Sequence, residues 1–529
     1  LPRAITNYQF SHLVEKAFDG KEEALESDIP APLQEKYRLL NKEKALHLVH
    51  RPFSAKDIYE GLRVLKYEEC LLFSLKTQII RSQNKELIKN EKQFIDRPKL
   101  KTFIRSLPYK LTEDQISSVA EIVKDMDQRS LMYRLLQGDV GTGKTLVAAL
   151  AFYGNFLRND QGAFMAPTDA LARQHFRTLR ELFKDTPVRL ALLLGATPKK
   201  ERFQINMGLI NHKIDVVVGT HALFSEDVTF SSLGLAVIDE QHRFGVNQRL
   251  LLASKGEHAD LLLMSATPIP RTLALTLYGD LDVSTLTQFP FSQRKIMTKV
   301  VSNSDSLIHK TIKQAINKQQ RVYVVAPVID ISSTGLVSVE ELFKYYEKLY
   351  PGQVSLLHGQ MSIEDKNYAL GEFISGKTPI IVSTSVIEVG IDVKEASAMV
   401  IYAPTSFGLA SLHQLRGRIG RDGKEAICLL VYDGEDEDEI NKLNVLVESN
   451  DGFFIAEEDL RRRGPGELSG LRQSGITNFE FVNLIDDFKM FEYARNDAKT
   501  ILEQPFEPSY RRIITRAKKE IAQAKFTNV

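Results

Sequence analysis

The chain holds 529 residues, 43% of them apolar and 26% charged, with 69 basic against 68 acidic side chains. That length exceeds a single core and points to three or four folding units at about 150 residues each; the composition excludes a disordered chain, and a net charge of +1 excludes a global basic field. Two cysteines, Cys70 and Cys428, with no C-x-x-C exclude a disulfide framework and a cysteine zinc site, and no apolar run approaches the roughly 18 residues of a membrane span, so a reducing cytoplasm is expected.

Residues 1 to 105 lack strand-like alternation and read as a helical region, with apolar spacing in Ile58, Leu62, Leu65, Cys70, Leu71 and Leu75 and with Pro30, Pro32, Pro52, Pro98 and Pro108 as punctuation. From Lys76 to Arg105 nine basic residues face three acidic ones, an excess suited either to a solvated helix face or to a phosphate backbone. The chain opens on Leu1 rather than Met, which reads as a piece of a longer polypeptide.

Residues 106 to 290 alternate apolar strand-length runs with helical stretches. The runs are Leu131 to Leu136, Gly162 to Ala166, Arg189 to Leu194, Asp215 to Val218, Leu235 to Ile238 and Leu261 to Met264, the pattern of a parallel sheet covered by helices. Between the first run and the helix formers Leu146 to Ala151 stands Gly138-Asp139-Val140-Gly141-Thr142-Gly143-Lys144-Thr145, which fits G-x-x-x-x-G-K-[ST]. Its glycines let backbone N–H groups turn in on an anion, the following helix N-terminus adds positive charge, Lys144 meets the outer phosphates and the Thr145 hydroxyl suits Mg²⁺. Asp239-Glu240-Gln241-His242 follows the run Leu235 to Ile238, at the strand edge where parallel sheets bind ligands. Asp239 is the candidate Mg²⁺ holder, and Glu240 the candidate that orients or deprotonates water.

Residues 291 to 447 give a second series: Arg321 to Pro327, Val354 to Leu357, Ile380 to Ser383, Ala398 to Ile401 and Ile427 to Val431. This sheet carries no Lys-bearing phosphate loop, so it is expected to act on the nucleotide held by the first. Pro290, Ser292 and the polar run Ser302 to Ser306 read as linker, and Glu435 to Glu439 as a solvated loop or helix start. In Gln414-Leu415-Arg416-Gly417-Arg418-Ile419-Gly420-Arg421, Arg418 and Arg421 share a face if the stretch is helical and are candidate arginine fingers, each worth ~10³ or more in rate. Residues 448 to 529 hold the arginine- and glycine-rich Leu460 to Glu467 and a tail ending basic.

These motifs in this order resemble superfamily 2 DExH-box helicases with two tandem RecA-like P-loop domains. More narrowly, Asp239 to Gly245, Ser265 to Thr272, Val386 to Val393 and Arg463 to Glu467 resemble the RecG family, bacterial ATP-dependent translocases that remodel stalled forks and Holliday junctions. The resemblance implies an α/β fold of two parallel-sheet domains with an N-terminal helical region and a C-terminal helical translocation segment. It implies ATP and Mg²⁺ as ligands, branched double-stranded DNA and single-strand DNA-binding protein as partners, and a cytoplasmic monomer.

The resemblance also implies roles. Gln115, in Leu111 to Gln115, would read adenine and Tyr109 would stack on it; Ser265 and Thr267 would couple nucleotide to domain closure; Gly390 and Asp392 would face the nucleotide. DNA contacts would come from Pro167 and Thr168, from Gly219, Thr220 and His221, from His358, Gly359 and Thr384, and from Arg461 and Arg463 within the translocation segment Arg461 to Gly475. The family's wedge, an oligonucleotide-binding-type barrel, has no counterpart pattern in residues 1 to 105, and Pro290 to Arg294 departs from the usual linker. Rival readings are a transcription-repair translocase acting on stalled RNA polymerase, against which Gln241 and Pro465 stand, an RNA helicase, and a nucleotide-binding module without hydrolysis.

Overall fold

The computed structural model describes residues 13, 16, 27–86, 89, 94–240, 255, 259–265, 281–290, 295–328, 337–385, 393, 395–420, 425–463, 479–483 and 486–527. Two compact units emerge, one from the two ends of the chain and one from its middle.

In the first unit a 32-residue helix, Ala55–Glu86, is packed by the helices Lys42–His50, Phe488–Glu503 and Arg511–Thr527. Leu65, Cys70, Leu71 and Leu75 are buried as their spacing predicts, whereas Ile58, near the helix start, is exposed. The ends read as separate regions from the sequence thus share one core. The Asp497 carboxylate accepts from Tyr37 Oη at 2.8 Å, Tyr67 Oη at 2.7 Å and Lys36 Nζ at 2.7 Å. Glu69 accepts the backbone N–H groups of Glu480, Phe481 and Val482.

The second unit holds both sheets. In the first lobe β1 (Tyr133–Gly138), β2 (Gln161–Met165), β3 (Leu190–Leu193), β4 (Val216–Gly219), β5 (Leu233–Ile238), β6 (Asp260–Ser265) and β7 (Asp282–Leu286) form one sheet in the order β3-β4-β2-β5-β6-β1-β7. In the second lobe β8 (Ile296–Val301), β9 (Arg321–Val325), β10 (Val354–Leu357), β11 (Ile380–Ser383), β12 (Ala396–Tyr402) and β13 (Ala426–Val431) order as β10-β11-β9-β12-β13-β8. The pairings are parallel.

The central strands read as continuous apolar runs because both of their faces are covered. In the second lobe Tyr323, Val325, Met399, Ile401, Cys428 and Leu430 enter one core, while Val322, Val324, Val400, Leu429 and Val431 enter the other. Two edge strands escaped the sequence reading. β7 lies beside β1, and β8 pairs all six of its residues with β13 in what was read as linker. An edge strand needs one neighbour and one buried face, so β8 tolerates Met297 at 52% exposure and Lys299 in its outward positions.

The basic excess between Lys76 and Arg105 is also partly internal. Lys89 is buried, 2.6 Å from Asp260, and donates to the Asp125 and Met126 carbonyls; Arg97 pairs with Asp127. A lysine spent in this way cannot track a phosphate backbone.

Candidate active site

Parallel register brings the chain's motifs to one edge of the first sheet. Met165 lies level with Gly219 and Ile238, and Gln137 with Ser265, so the loops after β1, β2, β4, β5 and β6 start side by side. After β1 the chain turns through Gly141 at φ 89° and Gly143 at φ 86° before entering the helix Lys144–Leu157. The left-handed φ at Gly143 favours glycine, and a Cβ there would lie 2.3 Å from Gln115 Nε2, which would have to give way. The Thr142 hydroxyl is folded back on the Asp139 carbonyl at 2.9 Å, and Lys144 Nζ donates to the carbonyls of Gly138 at 2.7 Å and Asp139 at 2.9 Å. The ammonium is thereby held at the mouth of a helix N-terminus, where an anion would find it.

Gln115 is fully buried. Its Oε1 accepts from Thr112 N in a capping box, and its Nε2 donates to the Thr142 carbonyl at 2.8 Å. The residue expected to read adenine therefore also braces the phosphate loop, and Asp114 beside it accepts from Thr287 and Gln288. Tyr109 is 37% exposed, on the approach to that segment.

Asp239 is buried at the end of β5. Its Oδ2 lies 2.8 Å from His175 Nε2 and its Oδ1 accepts from Glu240 N at 2.9 Å. Burial alone would raise the carboxyl's pKa, but the His175 hydrogen bond and charge, with Lys144 close by, hold it below the ordinary value. The carboxylate stays ionised. Glu240 takes a φ of 51°, a left-handed conformation that a non-glycine residue adopts at a cost of order 1 kcal/mol or more. His175 was not singled out in the sequence; its signal was a histidine on the buried face of the amphipathic helix Asp169–Leu182, where it stacks on Phe164.

The second lobe meets this loop directly. His413, in the helix Leu409–Arg416, places Nε2 2.9 Å from both carboxylate oxygens of Asp139. Its Nδ1 accepts from Arg416 at 3.0 Å, so Nε2 carries the proton and donates it to Asp139. Arg416 is anchored in turn on the Leu446 and Ser449 carbonyls at 2.6 and 2.9 Å. A Cβ on Gly417 would stand 3.4 Å from Val140 Cβ. Burial again opposes ionisation of Asp139, and the hydrogen bond from His413 with the charge of Lys144 brings its pKa below the ordinary value.

The helix stops at Arg416, with Gly417 as its cap, and Arg418 lies in the turn beyond it, so the helical stretch on which a shared face for Arg418 and Arg421 depended is not continued through Arg418. Arg418 is buried beside the loop's partner helix, and Gln414 is half-buried within that helix. Arg421, Gly390, Asp392, Gln241, His242 and Thr267 lie outside the described residues, as does the segment 464–475.

Mg²⁺ binds through one or two carboxylates plus substrate phosphates rather than an all-protein cage. The donor set fits that pattern: Thr145 opens the helix after the loop and Asp239 stands ionised nearby, while among the described residues no cluster of three or more His, Cys, Asp or Glu side chains is built for a metal.

The expected DNA contacts gather at the same strand edges. Pro167 follows β2, and the Thr168 hydroxyl caps the helix Asp169–Leu182 through Leu171 N. Gly219 ends β4, where a Cβ would strike the Leu193 carbonyl at 2.4 Å; the buried Thr220 hydroxyl has no hydrogen-bond partner among the described residues, and His221 is exposed. In the second lobe His358 is half-buried after β10 with its Nδ1 unpartnered among the described residues, Gly359 is exposed, and Thr384 is buried after β11. Arg461 is exposed and paired with Glu457 and Glu458, and Arg463 ends the helix Gly452–Arg463.

Comparison with known proteins gives three family matches: a DEAD/DEAH box helicase domain over residues 112–276, a helicase conserved C-terminal domain over 305–423, and the C-terminal part of domain 3 of ATP-dependent DNA helicase RecG over 449–527. The chain is 43% identical over 482 residues to ATP-dependent DNA helicase RecG of Thermotoga maritima, covering 90% of this chain and 62% of that protein. It is 40% identical over 489 residues to ATP-dependent DNA helicase RecG of Staphylococcus aureus, covering 91% of this chain and 71% of that protein. A solved structure of RecG bound to a three-way DNA junction superposes with a TM-score of 0.76 at 40% identity, over 92% of this chain and 65% of that one.

Proposed function

The chain belongs to the RecG family of ATP-dependent DNA helicases, and from that premise we propose that it hydrolyses ATP and uses the cycle to move on and remodel branched double-stranded DNA. The observation that carries this reading is the direct bond between lobes at the phosphate loop, His413 to Asp139. A loop that only held nucleotide would need no side chain from the second lobe.

Lys144 would leave the Gly138 and Asp139 carbonyls for the outer phosphate oxygens, exchanging neutral acceptors for anionic ones. Thr145 and Asp239 would hold Mg²⁺, which supplies charge to neutralise the phosphates. Glu240, next to Asp239 in the chain, would orient and deprotonate the attacking water. Arg418 would bring positive charge from the second lobe, and Arg421 is proposed to join it. Duplex phosphates would lie along the strand edges at Thr168, Gly219 to His221, His358, Gly359 and Thr384, so that a change in lobe closure shifts two grips relative to each other. Arg461 and Arg463 are proposed to start the segment that carries this motion to the duplex. The reading is tested by ATP turnover without DNA and with linear, forked and four-way DNA. Turnover should rise most with branched substrates, and a chain whose turnover ignores DNA altogether would overturn the proposal.

A further inference from the structure

The contact between the lobes suggests a role for a residue outside the expected catalytic set. Asp139 takes part in two systems at once. Its main-chain carbonyl accepts from Lys144 Nζ and from the Thr142 hydroxyl, and its carboxylate accepts from Val140 N and His413 Nε2. A shift of Lys144 toward a phosphate therefore alters what holds Asp139 in place. His413 in turn is fixed from behind by Arg416, a residue 2% exposed whose guanidinium is tied to carbonyls at the end of the helix Glu437–Glu448. The next residues are Gly417, against Val140, and Arg418.

We propose that His413 is a positioning residue for ATP hydrolysis, a neutral donor that joins the phosphate loop to the second lobe and so sets where Arg418 stands when the nucleotide arrives. The inference rests on the ATPase reading above. Neutral imidazole suits the task because Nδ1 accepts from an arginine that is permanently charged, leaving Nε2–H for Asp139. Without that donor a buried carboxylate keeps one N–H partner, and opening the lobes to water becomes the cheaper way to solvate it.

The test compares His413→Ala, His413→Gln and His413→Asn by ATP turnover at saturating forked DNA, with nucleotide affinity and melting temperature measured on each. Glutamine can present its amide N–H near the place of Nε2, whereas the shorter asparagine cannot. His413→Ala and His413→Asn are expected to lose about 10- to 100-fold in kcat, the usual range for residues that orient a site, with KM for ATP within about threefold; His413→Gln should recover most of kcat. Asp139→Asn should also lower kcat, and the double variant Asp139→Asn with His413→Ala should be no slower than the slower single one. The proposal is overturned if His413→Ala keeps kcat within twofold, if glutamine rescues no better than alanine, or if the two changes multiply. Should alanine prevent folding, the Gln and Asn pair and Asp139→Asn carry the comparison. Unchanged DNA-stimulated turnover in His413→Ala sinks this inference alone, while a wild-type chain without DNA-stimulated turnover sinks the reading beneath it.

Discussion

The two lobes of the second unit are built on the same plan and differ in what their strands deliver. Each is a parallel sheet with both faces covered, and the central strands of each are lined by residues of a few per cent exposure or less. In the first lobe β1 ends in a glycine loop with Lys144, and β5 ends in Asp239 and Glu240. In the second, β9 ends in Ala326 and Pro327, with no lysine-bearing loop. The sheets supply rigidity, and the chemistry lies in loops at one edge. The second lobe's contribution comes from the helix Leu409–Arg416, which reaches across to the first lobe's loop. A nucleotide site divided in this way, as proposed, would let hydrolysis depend on whether the lobes meet.

The comparison breaks most sharply if the first lobe's charges prove dispensable. Lys144→Ala should abolish measurable ATP turnover, a loss of at least about 10²-fold for a phosphate-facing cation, while leaving the fold intact, since its hydrogen bonds to the Gly138 and Asp139 carbonyls brace the loop and not a sheet. Normal turnover would mean the site lies elsewhere. Glu240→Gln keeps the shape and removes the proposed base, and should cost about 10²- to 10⁴-fold in kcat with little change in nucleotide affinity. A loss confined to KM would reassign Glu240 to binding.

A smaller effect separates the carboxylate from its support. His175→Ala should lower turnover by about 10- to 100-fold and weaken the Mg²⁺ dependence, since Asp239 would lose the 2.8 Å partner that fixes its carboxylate. Because Asp239 has a depressed folded-state pKa, its ionic contribution to stability is fully present above the unfolded value of about 3.9 and is lost only as pH falls through the lower folded value. The acid limb of activity between pH 5 and 8 should therefore not report Asp239. Potentiometric or NMR titration showing this carboxyl protonating near neutrality would contradict its assigned role.

How legible this was in the sequence follows from the same contrast. The inner strands β1, β2, β4, β5, β6, β9, β11, β12 and β13 announce themselves because two covered faces demand unbroken apolar runs, and the edge strands β3 and β10 are short but still mostly apolar, LALL and VSLL. The edge strands β7 and β8 carry Ser284, Thr285, Thr298 and Lys299, a mixture that linkers share. The phosphate loop, Asp239, Glu240 and Arg418 were legible because each sits in a contiguous motif. His413 and His175 were not, since their meaning comes from partners 274 and 64 positions away. The end of the helix at Arg416 was equally hidden: Gly417 can continue a helix or cap it, and its place against Val140 of the other lobe exists only in three dimensions.

The least of these effects concerns polar groups buried away from the edge. In the second lobe Tyr346 and Tyr402 meet hydroxyl to hydroxyl at 2.7 Å inside the core. Burial holds both phenols above their usual pKa, so each stays neutral and the pair is a plain hydrogen bond. Tyr346→Phe keeps the ring and leaves the Tyr402 hydroxyl without that partner, at a cost of about 1 to 2 kcal/mol. For a lobe of this size that is a fall of roughly 2–8 °C in melting temperature, visible by calorimetry. Turnover with forked DNA at 25 °C should not change, because neither hydroxyl contacts the helix that carries His413. If turnover dropped with the stability left intact, the second lobe's interior would be part of the coupling path, and the division between an inert core and an active edge would have to be redrawn.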